Sequence, residues 1–389
     1  KTIGTFAFSG CNELKSITLS ENLTEIGESA FNQCSALTEL ALPDSVATIG
    51  NGVFASCSKL KQVTLPNGLT SISESMFSDC SALTSVEIPD SVTSIGKYAF
   101  KNCVKLVNIS IPDSVTVISD GAFYGCKKLI SIHWSESLEQ INYEAFENCV
   151  SLEAITFPKT INTIGPSAFS DCTSLSSISF TDNNKGGAYV DIQSSAFSNC
   201  TVLKNISFSK NVRYLGDSSF SGCSSLVSIE LDDAITTIER LAFCNCSSLK
   251  SITLPSKLKK LGYSFIANTQ ITSLTIPAGL TTCTTGGSST YESQYGPLGG
   301  ASALSELILE PGMENIPDNL ARVESTSNTH MASVSIPDSV TSIGNYAFYN
   351  CKALEETFIP SSVTSIADTA FQGWKNLVIK GYSCSAAET

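Results

Sequence analysis

The chain has 389 residues, a length beyond one ordinary globular core, so it holds either two or three domains or a repeat array. Hydrophobic residues make up 42% and charged residues 15%, which excludes intrinsic disorder. A formal net charge of -13 opposes binding to nucleic acid and anionic lipid, and no apolar run is long enough to insert into a membrane.

A phenylalanine followed three residues later by a cysteine recurs every 23 residues from Phe8 to Phe169. The register slips by five residues at Phe197, then resumes, and it survives at Phe265 with Asn268 in the cysteine position. Two degenerate cassettes, around Leu298 and Leu320, precede its return at Phe348 and Phe371. A fixed period of this length indicates a solenoid, here of about sixteen cassettes.

The first half of a cassette predicts two short extended segments, as the stretch from Leu83 to Gly96 illustrates. Val86 and Ile88 alternate with polar residues, which predicts a strand, and the following Pro-Asp-Ser is turn chemistry that ends it. Val92 and Ile95 predict a second extended segment, and Gly96 marks the next turn.

The second half of the cassette predicts one helical or 3-10 turn. Ala99, Phe100 and Cys103 are spaced to face inward from such a turn, which is too short to be stable alone. Because no cassette can bury its own apolar face, stability must come from stacking on its neighbours.

The pattern Leu-x-x-Ile-x-Ile-Pro-x-Ser-Val-Thr-x-Ile-Gly-x-x-Ala-Phe-x-x-Cys resembles the BspA-like, or treponemal-type, leucine-rich repeat, and the resemblance covers essentially the whole chain. It implies a repeat solenoid: a right-handed leucine-rich-repeat stack of about sixteen 23-residue cassettes with short parallel β-strands. We expect a single solenoid over 1–389, with regular repeats over 1–180 and 190–282, irregular cassettes over 283–333, and regular C-terminal repeats over 334–380.

Members of this family are mostly secreted or surface-anchored bacterial proteins, and several are implicated in adhesion to host proteins or cells. The resemblance therefore implies an extracellular or cell-surface location, with any signal peptide removed. Lys1 enters in the second extended segment of a cassette, which predicts further sequence before it.

Twelve of the fifteen cysteines occupy the repeat position; the other three are Cys244, Cys283 and Cys384. A disulfide ladder, a metal array and buried free thiols are three competing interpretations. Disulfides require Cα atoms about 4.4 to 6.8 Å apart, closer than packed turns approach, and metal sites require close pairs or histidine partners. We therefore favour reduced thiols that fill the core.

The sequence predicts no enzyme, no cofactor and no metal site. Its only histidines, His133 and His330, lie in no nucleophile or zinc motif. Paired carboxylates such as Asp232 and Asp233 are adjacent, so they point to opposite sides of an extended chain.

Binding has two candidate locations. The outward strand positions form a ribbon of small, Ser/Thr-rich residues that lets a partner's backbone or a sugar approach, although the same residues would also serve only to keep a sheet soluble. Insertions at 181–189, 284–300 and 319–330 depart from the repeat, and insertions in solenoids map to loops.

Six residues are candidate contacts. Tyr189, Tyr291 and Tyr295 lie in insertions, where an inert loop is the alternative. His133 precedes Trp134, which is either an oversized core residue or an outward one. Phe358 falls on an outward strand position, and we hypothesise that it packs on a cap.

The leading hypothesis is a monomeric, non-catalytic extracellular module that binds a host or cell-surface protein or glycan. A targeting module of a larger secreted enzyme and an intracellular protein-interaction scaffold are the alternatives.

Overall fold

A computed structural model describes residues 1–181, 189–287, 294–323, 330–373 and 377–381. It contains two compact units: Lys1–Val190 with Ala196–Leu203, and Asp191–Ser195 with Lys204–Thr389. The chain forms about 16 turns of a parallel β-solenoid at roughly 23-residue spacing, so the predicted fold class is confirmed. The prediction of one uninterrupted domain stays a prediction.

The first extended segment of a coil forms a strand of two to four residues in most cassettes. In the first unit these strands are β3 Glu39–Ala41, β5 Gln62–Thr64, β8 Asn108–Ser110, β10 Ser131–His133, β12 Ala154–Phe157 and β14 Ser177–Phe180. In the second unit they are β16 Asn205–Ser207, β18 Ser228–Glu230, β20 Ser251–Thr253, β22 Ser273–Ile276, β26 Glu306–Leu309, β28 Ser333–Ser335, β30 Glu356–Ile359 and β32 Val378–Gly381.

The second extended segment forms a shorter strand. In the first unit these strands are β1 Thr2–Ile3, β2 Glu25–Ile26, β4 Thr48–Ile49, β6 Ser71–Ile72, β7 Ser94–Ile95, β9 Val117–Ile118, β11 Gln140–Ile141 and β13 Thr163–Ile164. The later ones are β15 Val190–Ile192, β17 Val212–Leu215, β19 Thr237–Ile238, β21 Lys260–Leu261, β23 Thr282–Cys283, β27 Asn315–Ile316, β29 Ser342–Ile343 and β31 Ser365–Ile366.

Equivalent strands of successive coils pair in parallel, with each apolar residue beside its counterpart. In the first unit the second strands form two ladders, β1-β2-β4 and β6-β7-β9-β11-β13. The first strands pair only in short groups there, β3 with β5, β8 with β10, and β12 with β14. The second unit likewise pairs β18 with β20 and β22-β26-β28, next to a ladder β17-β19-β21-β23.

The predicted strand at Val86 and Ile88 does not form. Within the described residues, no backbone hydrogen bond joins 85–88 to either neighbouring coil, although the amide of Thr84 reaches Lys61 O at 3.3 Å. The same coil remains in register on its other side, where Ile95 lies beside Ile72 and Ile118. The sheet therefore opens locally on one face.

The predicted helical turn is replaced by a chain of tight turns; the described part of the chain contains no helix. Within 98–103, alternate amides donate to carbonyl oxygens of the next coil at 2.7 to 3.0 Å, and the intervening amides donate to the residue three positions back. Tyr98 and Asn102 have positive φ angles of 55° and 57°. A helix is impossible here because alternate amides are bound to the neighbouring coil and left-handed residues interrupt the right-handed path.

Phenylalanine rings stack along the core in the manner that the repeat predicts. Successive rings from Phe8 to Phe146 lie with centroids 5.0 to 5.8 Å apart and planes within 18° of parallel. The Ala and Phe positions are fully buried in nearly every regular coil. Such offset-stacked aromatic pairs add stability beyond the burial of their area.

The cysteine prediction is confirmed for the described residues: fourteen cysteines are free, and eleven of these are buried. We call the twelve repeat-position cysteines the ladder cysteines; ten of their thiols donate to the carbonyl oxygen of the core residue in the preceding coil, as Cys103 Sγ does to Phe77 O at 3.2 Å. Burial raises the pKa of nine of these thiols, for Cys57 to about 12. Cys11 is exposed, and Cys384 lies outside the described residues.

In the coil that contains Phe265, the predicted alignment with the repeat is wrong by a single residue. Phe265 occupies the alanine position, because its carbonyl accepts the amide of Phe243 as alanine carbonyls do in other coils. Asn268, with a φ of 58°, takes the left-handed position before the cysteine slot. The cysteine slot itself holds Thr269, a buried residue whose hydroxyl donates to Ile266 O at 2.9 Å. Threonine replaces the thiol as a short buried donor.

Candidate binding surface

The outward side chains of the first strands form a surface that we name the strand ribbon. In the first unit its exposed members are Glu39, Ala41, Gln62, Thr64, Asn108, Ser110, Ser131, His133, Ala154 and Thr156. They are exposed because side chains alternate along a strand and the intervening residue of each strand packs inward. The ribbon thus presents a row of short polar groups on a fixed backbone.

Hydrogen bonds along the ribbon hold several of these side chains in place. Ser131 Oγ donates to Asn108 Oδ1 at 2.7 Å, and the hydroxyls of Thr156 and Ser179 lie 2.8 Å apart. Side chains directly opposite one another on paired strands interact in this way. At these two pairs a partner therefore meets polar groups whose positions are set beforehand.

His133 and Trp134 lie together at the end of β10, but they face different environments. His133 is exposed on the ribbon. Trp134 is half-buried, with its indole 5.4 Å from the Phe146 ring and 6.0 Å from the Phe157 ring, so the core interpretation of Trp134 is supported. Ser135, which replaces the consensus proline, is buried and donates to Val115 O at 2.7 Å.

Tyr295 anchors a hairpin in the second unit. It ends strand β25, Gln294–Tyr295, which pairs antiparallel with β24, Gly286–Gly287. Its ring meets Tyr263 edge-on with centroids 5.6 Å apart. An ideal Cβ on Gly286 would lie 2.4 Å from that Tyr263 ring, so glycine permits the close approach. Tyr295 is half-buried and fixes the hairpin base.

The remaining candidates lie on separate coils. Tyr189 is 58% exposed and Phe358 is 43% exposed, the latter beside Lys380 in the pairing of β30 with β32. Tyr291 lies outside the described residues. The hypothesis that Phe358 packs on a cap stays a prediction, as does the involvement of all six residues in binding.

A carboxylate cluster that sequence reasoning missed lies on the turn face of the first unit. Burial, followed by the charges of Glu144 and Asp171, raises the pKa of Glu147 to about 7. A hydrogen bond to Glu144 raises the pKa of the neighbouring, exposed Tyr143 to about 12. The sequence signal was available, since three acidic residues occupy turn positions of adjacent coils.

Metal-binding geometry is not evident in the described part of the chain. It holds no group of three or more His, Cys, Asp and Glu side chains arranged to bind a metal ion. His330 Nδ1 lies 2.6 Å from Ser302 O, a backbone carbonyl. Asp232 and Asp233 cap backbone amides at 2.9 and 2.7 Å, and the bond from Ser256 lowers the pKa of Asp233. No helix in the described ranges could cross a bilayer.

Several solved structures are similar to this chain, and the first of them shares its fold. A leucine-rich repeat protein from Bacteroides ovatus is 24% identical, covers 98% of this chain and 92% of its own, and has a TM-score of 0.60. A leucine-rich cell surface protein from Faecalibacterium prausnitzii is 28% identical over 69% of this chain and 85% of its own, with a TM-score of 0.40. The Treponema pallidum leucine-rich repeat protein is 28% identical over 45% and 71%, with a TM-score of 0.36.

Among curated proteins no match is found. The family model described as "BspA type Leucine rich repeat region (6 copies)" matches residues 1–107, 93–189, 187–293 and 304–380 of this chain. These ranges together span most of the sequence and include both compact units. The chain therefore belongs to the BspA-type leucine-rich-repeat family, whose repeats form scaffolds for protein interaction.

Proposed function

We propose that this chain is a non-catalytic adhesion module, located outside a bacterial cell, whose strand ribbon binds a host or cell-surface protein or glycan. The observation that carries this proposal is the ribbon itself, a row of exposed, short and mostly uncharged side chains repeated coil after coil. Its backbone is fixed by the coil-to-coil hydrogen bonds, so binding orders little of the chain.

The net charge of -13 favours partners that carry positive or neutral surfaces and disfavours nucleic acid. Extended solenoid faces generally serve recognition. Family membership supports the extracellular or cell-surface location, and we propose that the module acts as a monomer, without cofactor or metal.

An array of host matrix proteins and glycans, probed with the purified chain, tests this function. A ribbon variant carrying Ala154→Glu and Thr156→Glu is compared with a control carrying Thr173→Glu and Ser174→Glu, at exposed positions off the ribbon. Both variants add two negative charges. We expect the ribbon variant to lose at least tenfold in affinity for the array ligand and the control to retain it. Equal binding by both variants, or no ligand at all, would contradict the proposal.

A further inference from the structure

Two Asn-Gly steps occur in the sequence, Asn51-Gly52 and Asn67-Gly68, and the structure places them in different surroundings. In an Asn-Gly step the asparagine side chain is open to attack by the backbone nitrogen that follows it, because glycine has no Cβ to obstruct the approach. Whether the attack occurs in a folded chain depends on how that nitrogen and the backbone around it are held.

Gly52 is fixed in the coil stack. Its backbone amide donates to Glu74 O in the next coil at 2.8 Å, and the carbonyl oxygen of Asn51 accepts the backbone amide of Ser29 from the preceding coil at 2.8 Å. Gly52 is also buried. The nitrogen of Gly52 therefore reaches the side chain of Asn51 only when coil-to-coil hydrogen bonds open, which costs free energy.

Gly68 is held much less firmly. It follows Asn67 in the exposed turn after β5, which a backbone hydrogen bond from the Leu69 amide to Pro66 O closes at 3.1 Å. None of its described neighbours accepts a hydrogen bond from the Gly68 amide. A Cβ on Gly68 would meet no atom within 4 Å, so the turn has room to move. Exposed turns are the parts of a fold that open at the lowest free-energy cost.

The contacts of Asn67 leave the Gly68 nitrogen free. Asp44 Oδ1 accepts the backbone amide of Asn67 at 3.0 Å, which fixes the chain before Asn67. Asp44 Oδ2 accepts Asn67 Nδ2 at 3.4 Å, a long contact that holds the side-chain amide weakly. The Ser91 hydroxyl contacts Asn67 O at 2.7 Å, but it shares its single proton with Leu69 O at 2.7 Å.

We propose that Asn67 is a site of spontaneous deamidation. The Gly68 nitrogen bonds to Cγ of Asn67, the Cγ–Nδ2 bond breaks, and Nδ2 leaves as ammonia with the proton that the Gly68 nitrogen gives up. The five-membered succinimide that remains is opened by water. Addition of water at Cγ yields aspartate at position 67, and addition at the main-chain carbonyl carbon yields isoaspartate. Asn51 stays unmodified in the folded chain.

The products change two coil-to-coil contacts. Each product replaces the Nδ2 donor that faces Asp44 with a carboxylate, so like charges meet there. In isoaspartate the main chain passes through Cγ, and the oxygen that accepts the Ser91 hydroxyl becomes part of a free carboxylate. Asn67 lies off the strand ribbon, so this inference is independent of the proposed function.

Incubation of the full chain in mildly alkaline water enriched in heavy oxygen, followed by peptide mass spectrometry, tests the proposal. Incorporated heavy oxygen marks each asparagine that was deamidated during the incubation. The test variant is Gly68→Ala, whose methyl group meets no atom within 4 Å and therefore leaves the turn undisturbed. The matched control is the same chain unfolded in guanidinium chloride at the same pH, where both Asn-Gly steps are equally accessible.

We expect Asn67 to be deamidated at least tenfold faster than Asn51 in the folded chain, and the two rates to converge in the unfolded chain. Gly68→Ala should slow the reaction at Asn67 at least tenfold, and isoaspartate methyltransferase should label the wild-type product at this position. Equal rates at both asparagines in the folded chain, or an unreactive Asn67, would overturn the proposal. An undiminished rate in Gly68→Ala would do the same, because it would indicate direct hydrolysis of the side chain.

Discussion

The left-handed position before each ladder cysteine gives a sharp test of how these coils are held. Asn148 has a φ of 61°, and its amide donates to Ser170 O in the next coil at 2.9 Å. We compare Asn148→Gly, Asn148→Ala and Asn148→Val. These substitutions vary the cost of a positive φ while they leave the backbone hydrogen bond in place.

The magnitudes follow from the backbone. A left-handed conformation costs an L-residue about 1 to 2 kcal/mol, a cost that asparagine partly avoids through local hydrogen bonds. Glycine has no such cost but loses about 0.5 to 1 kcal/mol in chain entropy. We therefore expect Asn148→Gly to change the free energy of unfolding by less than about 0.5 kcal/mol, Asn148→Ala to lower it by about 1, and Asn148→Val by about 2.

Urea unfolding of the full chain measures these differences as shifts of the midpoint at constant slope. Thr173 provides the control, because this exposed turn residue is not among those with a positive φ. There the order must reverse, with Thr173→Gly less stable than Thr173→Ala by about 0.5 to 1 kcal/mol. If alanine is as stable as glycine at position 148, left-handed strain is not what selects its occupant.

Three further predictions follow from the stack. Gly96→Ala should lower the free energy of unfolding by about 1 to 3 kcal/mol in the same urea assay, because its Cβ would lie 2.7 Å from the backbone nitrogen of Glu74 in the preceding coil. Folding raises the pKa of Glu147 from 4.5 to about 7, so its contribution to stability is present at low pH and is lost as the pH rises through this range. Thermal melts should therefore show a smaller decrease in melting temperature between about pH 4.5 and 7 for Glu147→Gln than for the wild-type chain. Iodoacetamide should label exposed Cys11 in the folded chain and Cys126 only on unfolding, as followed by mass spectrometry; early labelling of Cys126 would contradict its burial.

The repeat was readable from sequence because each position has one physical task. The phenylalanine and cysteine positions are buried in coil after coil, and the predicted parallel strands formed at almost every coil. Positive φ angles were not predicted, although their signal was present: Asn, Asp or Gly precedes most of the ladder cysteines. The helical prediction was wrong because spacing alone does not distinguish a helix from turns whose alternate amides bind the next coil.

The candidate contacts were harder to predict, because their roles depend on neighbours far away in sequence. Trp134 packs against Phe157, 23 positions later, and Tyr295 meets Tyr263 across an insertion. Neither contact has a local signature. The opening of the sheet at 85–88 was missed for the opposite reason, since its cassette matches the consensus better than most and still lacks the predicted strand.

The turn amides explain how a consensus cassette can lose its strand and stay in the stack. Parallel strands prefer a separation of about 4.7 to 4.9 Å, whereas the core rings of successive coils lie 5.0 to 5.8 Å apart. Offset rings reach such centroid distances without forcing the strands apart, so ring stacking alone does not fix which strands pair. In the first unit the turn amides keep their coil-to-coil hydrogen bonds, whereas the second strands are unpaired between β4 and β6 and the first strands separate after every second or third coil. The opening at 85–88 is thus one of several breaks in strand pairing, and the turn amides together with the paired second strands keep this coil in register.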